Sequence, residues 1–105
     1  CEAVQVAQRF GLDPAVFVAA VNESTGRSWS TQVKLPDHVL PGTFDSGFGL
    51  QLMVKDLRTA LGLADASDVP LELGRASADV WERAAAALPD DADHTEIARW
   101  LGLGD

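Results

Sequence analysis

Apolar residues in this chain recur at three- and four-residue spacing, with no alternating run anywhere, and this pattern confines the chain to an all-α fold. There is a single isoleucine and no tyrosine, and strand signals are nearly absent. Glycine and proline divide the periodic stretches into separate helices. The length of 105 residues fits one domain, and the predicted architecture is a multi-helix bundle spanning residues 1–105.

The first helix covers residues 2–10, with Ala3, Val6, Ala7 and Phe10 on one side and Gly11 at the position where a helix C-terminal glycine belongs. Asp13-Pro14 opens the second: Asp13 is an N-cap, and Pro14 fits the first helical position. Its expected buried stripe is Val16, Phe17, Ala20 and Val21, and it frays in Asn22-Glu23-Ser24-Thr25-Gly26. Ser28 or Ser30 is expected to cap a short helix through about Lys34, and Pro36 to restart a turn as far as Leu40. Residues 41–49 then form the longest non-helical stretch, glycine-rich yet carrying Phe44 and Phe48. From Leu50 a helix runs to Leu61 or as far as Ala66, with Leu50, Met53, Val54, Leu57, Ala60 and Leu61 on its inner face. A further helix is marked by Leu73, Ala76, Val80, Trp81, Ala84, Ala87 and Leu88, and Pro89 ends it. Asp90–Asp93 reads as a solvated turn. Asp93 or Thr95 is expected to cap a last helix that turns Ile97, Trp100 and Leu101 inward.

Charge and cysteine content exclude several functions. Sixteen acidic against eight basic residues give a net charge of −8, the wrong sign for a nucleic-acid backbone binder. The longest apolar stretch, Ala15 to Val21, is far short of a membrane span of about 18 residues. The lone cysteine, Cys1, cannot form an internal disulfide, which fits a reducing compartment and a cytoplasmic protein. Cys1 also opens the chain inside a helical pattern, as expected of a piece of a longer protein.

No complete active site is legible. Gly42, Gly47 and Gly49 have neither the spacing nor the preceding strand of a dinucleotide loop. Asp91, Asp93 and His94 could in principle hold a metal, but acidic residues before a helix serve its N-terminus, and no metal site is predicted. His38, in a Pro-Asp-His turn, is expected to be an exposed polar residue. Cys1 and the serines have no base visibly placed to activate them. One constellation stands out. Were the helix to begin near Phe48, seven steps to Lys55 would return to within about 20° and eight steps to Asp56 would reach about 80°. Phe48, Lys55 and Asp56 then project to one side, away from the core stripe. A cation beside a carboxylate, under an aromatic ring, suits an anionic ligand with a hydroxyl or carbonyl to orient. The same Lys-Asp pair is also what the solvated face of any surface helix carries.

Three blocks in order carry a resemblance: Gly11-Leu12-Asp13-Pro14, then Asn22-Glu23-Ser24-Thr25-Gly26-Arg27-Ser28-Trp29, then Gly47-Phe48-Gly49-Leu50-Gln51-Leu52-Met53-Val54-Lys55-Asp56-Leu57. Together they resemble the C-terminal domain of the β-hydroxyacid dehydrogenases, on the 3-hydroxyisobutyrate dehydrogenase-like branch. The resemblance implies an all-helical domain of the 6-phosphogluconate dehydrogenase C-terminal type, in an enzyme whose N-terminal Rossmann domain holds NAD or NADP. Residues 1–11 would end the helix joining the two domains. The family's catalytic lysine lies upstream of this chain, so no residue here is assigned as catalytic. Lys55 resembles the lysine that reaches the cofactor from the C-terminal domain, and Phe48 and Asp56 match positions lining the substrate side. Arg27 with Trp29 would fix the loop beside the cleft, or the Arg stacks on the Trp as structural packing alone. The partners implied are a small hydroxyacid substrate and a second copy of the chain, in a homodimer or larger oligomer. Two other readings compete: a stand-alone helical binding or dimerisation module, and a domain of an imine reductase-type relative.

Overall fold

Gly11 takes φ +104°, a conformation open to glycine without strain, and ends α1 (Glu2–Phe10). The Leu12 N–H donates to the Ala7 carbonyl and the Gly11 N–H to that of Gln8, satisfying two of the helix's last carbonyls. Two residues on, the Asp13 carboxylate accepts from the Ala15 and Val16 N–H groups and starts α2 (Pro14–Asn22). Both termini fall where the sequence puts them. The computed structural model describes residues 1–104, and within it the chain divides into two units: Cys1–Ser46 with the segment from Thr95 onward, and Gly47–His94.

The first unit packs Val4, Val18, Leu35, Val39, Ala98 and Leu103 together, with Phe17 and Phe44 against them. Here the expected α2 stripe needs correction. Val18 is buried and Phe17 and Val21 are half-buried, but Val16 is 67 % exposed and Ala20 is exposed. Alpha-2 is apolar around most of its circumference, so periodicity could not choose its inner face; packing against α1 and the next helix does.

That next helix is a second departure. In place of a break before Pro36, Ser30–Val39 forms one continuous π-helix, which we call π1. Ser28 caps its start as expected: the Ser28 hydroxyl accepts from the Thr31 N–H while the Thr31 hydroxyl accepts from the Ser28 N–H. In the wider register each N–H reaches the carbonyl five residues back, as Leu40 does to Leu35. Pro36 has no N–H, so the carbonyl left over in that register is that of Thr31. The Asn22 side-chain amide donates to it at 2.9 Å. A side chain from α2 thus replaces the bond that proline removes, and the helix runs through. The last helix is short: a 3₁₀ turn, His94–Glu96, leads into α5 (Ile97–Trp100), with Ile97 and Ala98 buried and Trp100 and Leu101 half-buried.

The second unit is a helical hairpin of α3 (Leu50–Ala66) and α4 (Glu72–Ala87). Leu50 and Val54 are the most deeply buried large side chains, and Met53, Leu57 and Leu61 flank them, as the wheel predicts. Three cross-links fix the antiparallel register: Gln51 to the Ala85 carbonyl, Arg58 to Glu82, and Arg75 to Asp65. All are exposed, so they set alignment more than stability. The inner face of α4 differs from expectation. Leu73 points to solvent at 88 % exposure, while Ala78 and Ala84 are buried and Gly74 and Trp81 half-buried. Ala84 is buried and Val80, Trp81 and Leu88 are half-buried as expected, whereas Ala76 and Ala87 are exposed with Leu73, so the stripe is displaced only in part. Among the described residues there is no strand, only an isolated antiparallel bridge between Gly49 and Asp93.

Candidate functional site

Lys55 and Asp56 lie in the second turn of α3, on the side opposite the buried Leu50 and Val54, and both are exposed. Neither side chain has a hydrogen bond or ion pair among the described residues. Leu52 and Thr59, exposed on the same side, fall one turn before and after them. An ammonium and a carboxylate are therefore held side by side on a rigid helix, free to meet something outside the unit.

Phe48 is brought near the start of this helix by different means from those expected. The helix begins at Leu50, with Gly49 extended at its N-cap, so Phe48 lies outside the helical wheel. Its position is fixed from the far end of the unit. Asp93 Oδ2 accepts from the Gly47 N–H at 2.9 Å and the Phe48 N–H at 3.2 Å. The His94 N–H donates to the Phe48 carbonyl at 2.8 Å, and His94 Nδ1 lies 3.1 Å from the same oxygen. A carbonyl only accepts, so Nδ1 carries the proton in this arrangement. The Phe48 ring meets the His94 ring edge-on at 5.5 Å, and His94 stacks against Trp81 of α4 at 6.4 Å.

The 90–94 segment corrects the sequence reading. Only its first half is a solvated turn. Ala92 is buried, and the Asp93 and His94 side chains are 10 % and 12 % exposed. Asp93 serves the approach to α3. No cluster of three or more metal-ligating side chains occurs among the described residues. The Gly47 and Phe48 N–H groups are already taken by Asp93, and the Leu50 N–H by the Ala92 carbonyl, so this loop is not a phosphate cradle.

The first unit holds a second polar cluster that sequence reasoning missed. His38 is half-buried, not exposed, and its Nδ1 lies 2.8 Å from Asp45 Oδ1. The Thr43 hydroxyl donates to the same carboxylate oxygen at 2.6 Å. Those two contacts, Thr43 foremost, hold the Asp45 carboxyl below its ordinary range. Arg27 and Trp29 do not stack among the described contacts; Trp29 is largely exposed, and Arg99 lies over the Phe44 ring, 5.1 Å from its centre.

The described residues combine a helical hairpin, an outward Lys-Asp pair and a braced phenylalanine. Known proteins with the same sequence pattern give the family. The family described as the NAD-binding domain of NADP-dependent 3-hydroxyisobutyrate dehydrogenase matches residues 1–101. The mitochondrial 3-hydroxyisobutyrate dehydrogenase of Drosophila melanogaster is 38 % identical over 90 residues, covering 77 % of this chain and 27 % of that protein. Its counterpart in Homo sapiens is 30 % identical over 109 aligned residues, covering 95 % and 32 %. The solved structure of Mycobacterium tuberculosis 3-hydroxyisobutyrate dehydrogenase with L-serine superposes with a TM-score of 0.83 at 27 % identity, over 96 % of this chain and 36 % of that one. The chain belongs to the 3-hydroxyisobutyrate dehydrogenase NAD-binding family. It spans about a third of the length of these relatives.

Proposed function

We propose that this chain, residues 1–105, is the helical C-terminal domain of an NAD(P)-dependent oxidoreductase that interconverts a small 3-hydroxy acid and its semialdehyde. Residues 1–11 would be the end of the helix leading from a nucleotide-binding domain. The observation that carries this reading is the exposed, internally unpartnered Lys55-Asp56 pair on the outer face of α3.

The residues present fit a contact to a dinucleotide, not a complete site for one. Lys55 offers a point charge with no competing carboxylate partner, which suits the anionic part of NAD or NADP. Nothing else in the hairpin resembles a phosphate loop. When bound, the nicotinamide supplies the hydride donor and acceptor. The residues of this chain do the rest of the domain's work: Lys55 holds charge, Asp56 accepts a hydrogen bond from a substrate hydroxyl, and Phe48 lends an apolar wall that excludes water. Exposed Val6, Phe10, Leu12 and Val16 support contact with further polypeptide, a second subunit of a homodimer or higher oligomer among it. No described helix is long and apolar enough to cross a membrane. We read the compartment as reducing and the protein as cytoplasmic; the two animal relatives are named as mitochondrial.

The test is to express the whole reading frame that encodes this chain and assay NAD+ and NADP+ reduction with 3-hydroxyisobutyrate and L-serine. Lys55→Ala should raise the nucleotide KM about tenfold, and Asp56→Ala the acid KM by a similar factor. Both side chains are exposed, so thermal stability should stay near wild type. No activity with any 3-hydroxy acid, or variants indistinguishable from wild type, would overturn the assignment.

A further inference from the structure

We propose that Asp93 and His94 are positioning residues that set the posture of Phe48 for substrate binding. The inference rests on the reading of Phe48 as a substrate-facing residue and deepens it.

Phe48 is flanked by Gly47 and Gly49, and Gly47 sits at φ +85°, so its local sequence imposes little order. The order comes from 46 residues away. The Asp93 carboxylate bonds the N–H groups of Gly47 and Phe48, and His94 bonds the Phe48 carbonyl through its backbone and its ring. Both hydrogen-bonding groups of the Phe48 backbone are therefore occupied. The ring is braced on His94, which leans in turn on Trp81 of α4. Asp93 and His94 are nearly buried, so water competes weakly for these bonds and the charge-assisted ones are at their strongest. Such bracing exceeds what is required to start a helix, for which one side-chain oxygen suffices. Its specific product is one fixed direction for one aromatic side chain, seven and eight residues before Lys55 and Asp56. Reactions between small molecules are sensitive to displacements of about 1 Å, so a residue that fixes an apolar wall contributes to substrate selection without touching the substrate.

The experiment uses the full-length protein with four variants: Asp93→Ala, Asp93→Asn, Phe48→Ala, and Asp91→Ala as an exposed, charge-matched control. The expected result is a split. Asp93→Ala raises the acid KM about tenfold while the nucleotide KM stays within about twofold, and Asp93→Asn, which keeps one acceptor oxygen, falls between. Hydrogen exchange of the Phe48 amide should accelerate in Asp93→Ala and remain slow in Asp91→Ala. A parallel rise in both KM values together with a fall in melting temperature would mark a purely structural role and overturn the proposal. So would an unchanged acid KM in Asp93→Ala when Phe48→Ala raises it. If Phe48→Ala itself leaves the acid KM unchanged, the substrate-facing reading fails and this inference fails with it; the Phe48 variant tells that outcome from the other two.

Discussion

Thr43 and His38 converge on one oxygen of Asp45, and their effect on its proton affinity can be measured directly. Both contacts favour the carboxylate, so its folded-state pKa lies below the unfolded value. The resulting stabilisation is fully present above the unfolded pKa, about 3.9, and disappears as pH falls through the folded value. Thr43→Ala and His38→Ala should therefore each move the Asp45 pKa up toward its ordinary value. Carboxyl chemical shifts followed between pH 2 and 6 would show it; an unmoved Asp45 titration in Thr43→Ala would contradict the role given to the hydroxyl. At this scale the sequence was uneven. Gly11 and Asp13 announce themselves because a cap is a local event governed by neighbours. Asp93 does not, because its partners are far away in the chain and nothing at Gly47 or Phe48 signals which carboxylate will reach them.

Among the elements, π1 shows a helix surviving a proline through a side chain borrowed from α2. This arrangement predicts coupling. Asn22→Ala leaves the Thr31 carbonyl without its protein donor and should cost about 1 kcal/mol. Pro36→Ala supplies a backbone N–H in the register that Leu40 and Leu35 already use, so the same Asn22→Ala change should cost less in that background. Chemical denaturation of the four members of the cycle measures the difference, and strict additivity would show that the two residues act independently. The periodicity argument expected a break at Pro36 because it has no view of neighbouring elements. It failed in a related way on α2 and α4. In α2 apolar residues surround the axis, and in α4 Ala78 is buried while Leu73, Ala76 and Ala87 face solvent. Alpha-3, with large apolar residues on one side and charges on the other, was legible almost residue by residue.

For the molecule as a whole, the all-helical class and the family follow from the sequence, since both depend on patterns spread along the chain. For the candidate site the sequence proposes Phe48, Lys55 and Asp56 but says nothing of how Phe48 is held. The helical wheel accounts for Lys55 and Asp56. For Phe48 it assumes a helix that has not yet begun, and the structure substitutes a long-range brace.

That brace also makes the second unit an insertion. The bridge between Gly49 and Asp93 joins residues close to its two ends, Gly47 and His94, so the polypeptide enters and leaves this unit at one doorway. Opening the doorway unfastens the hairpin at both ends together. In native-state hydrogen exchange the amides of Gly47, Phe48, Leu50 and His94 should therefore exchange with a common opening free energy, and Asp93→Ala should lower all four by the same amount. Four unrelated protection values would deny the linkage. Topologically, such a module can be lengthened, exchanged or moved to a new host at a single seam, without rethreading the helices on the other side.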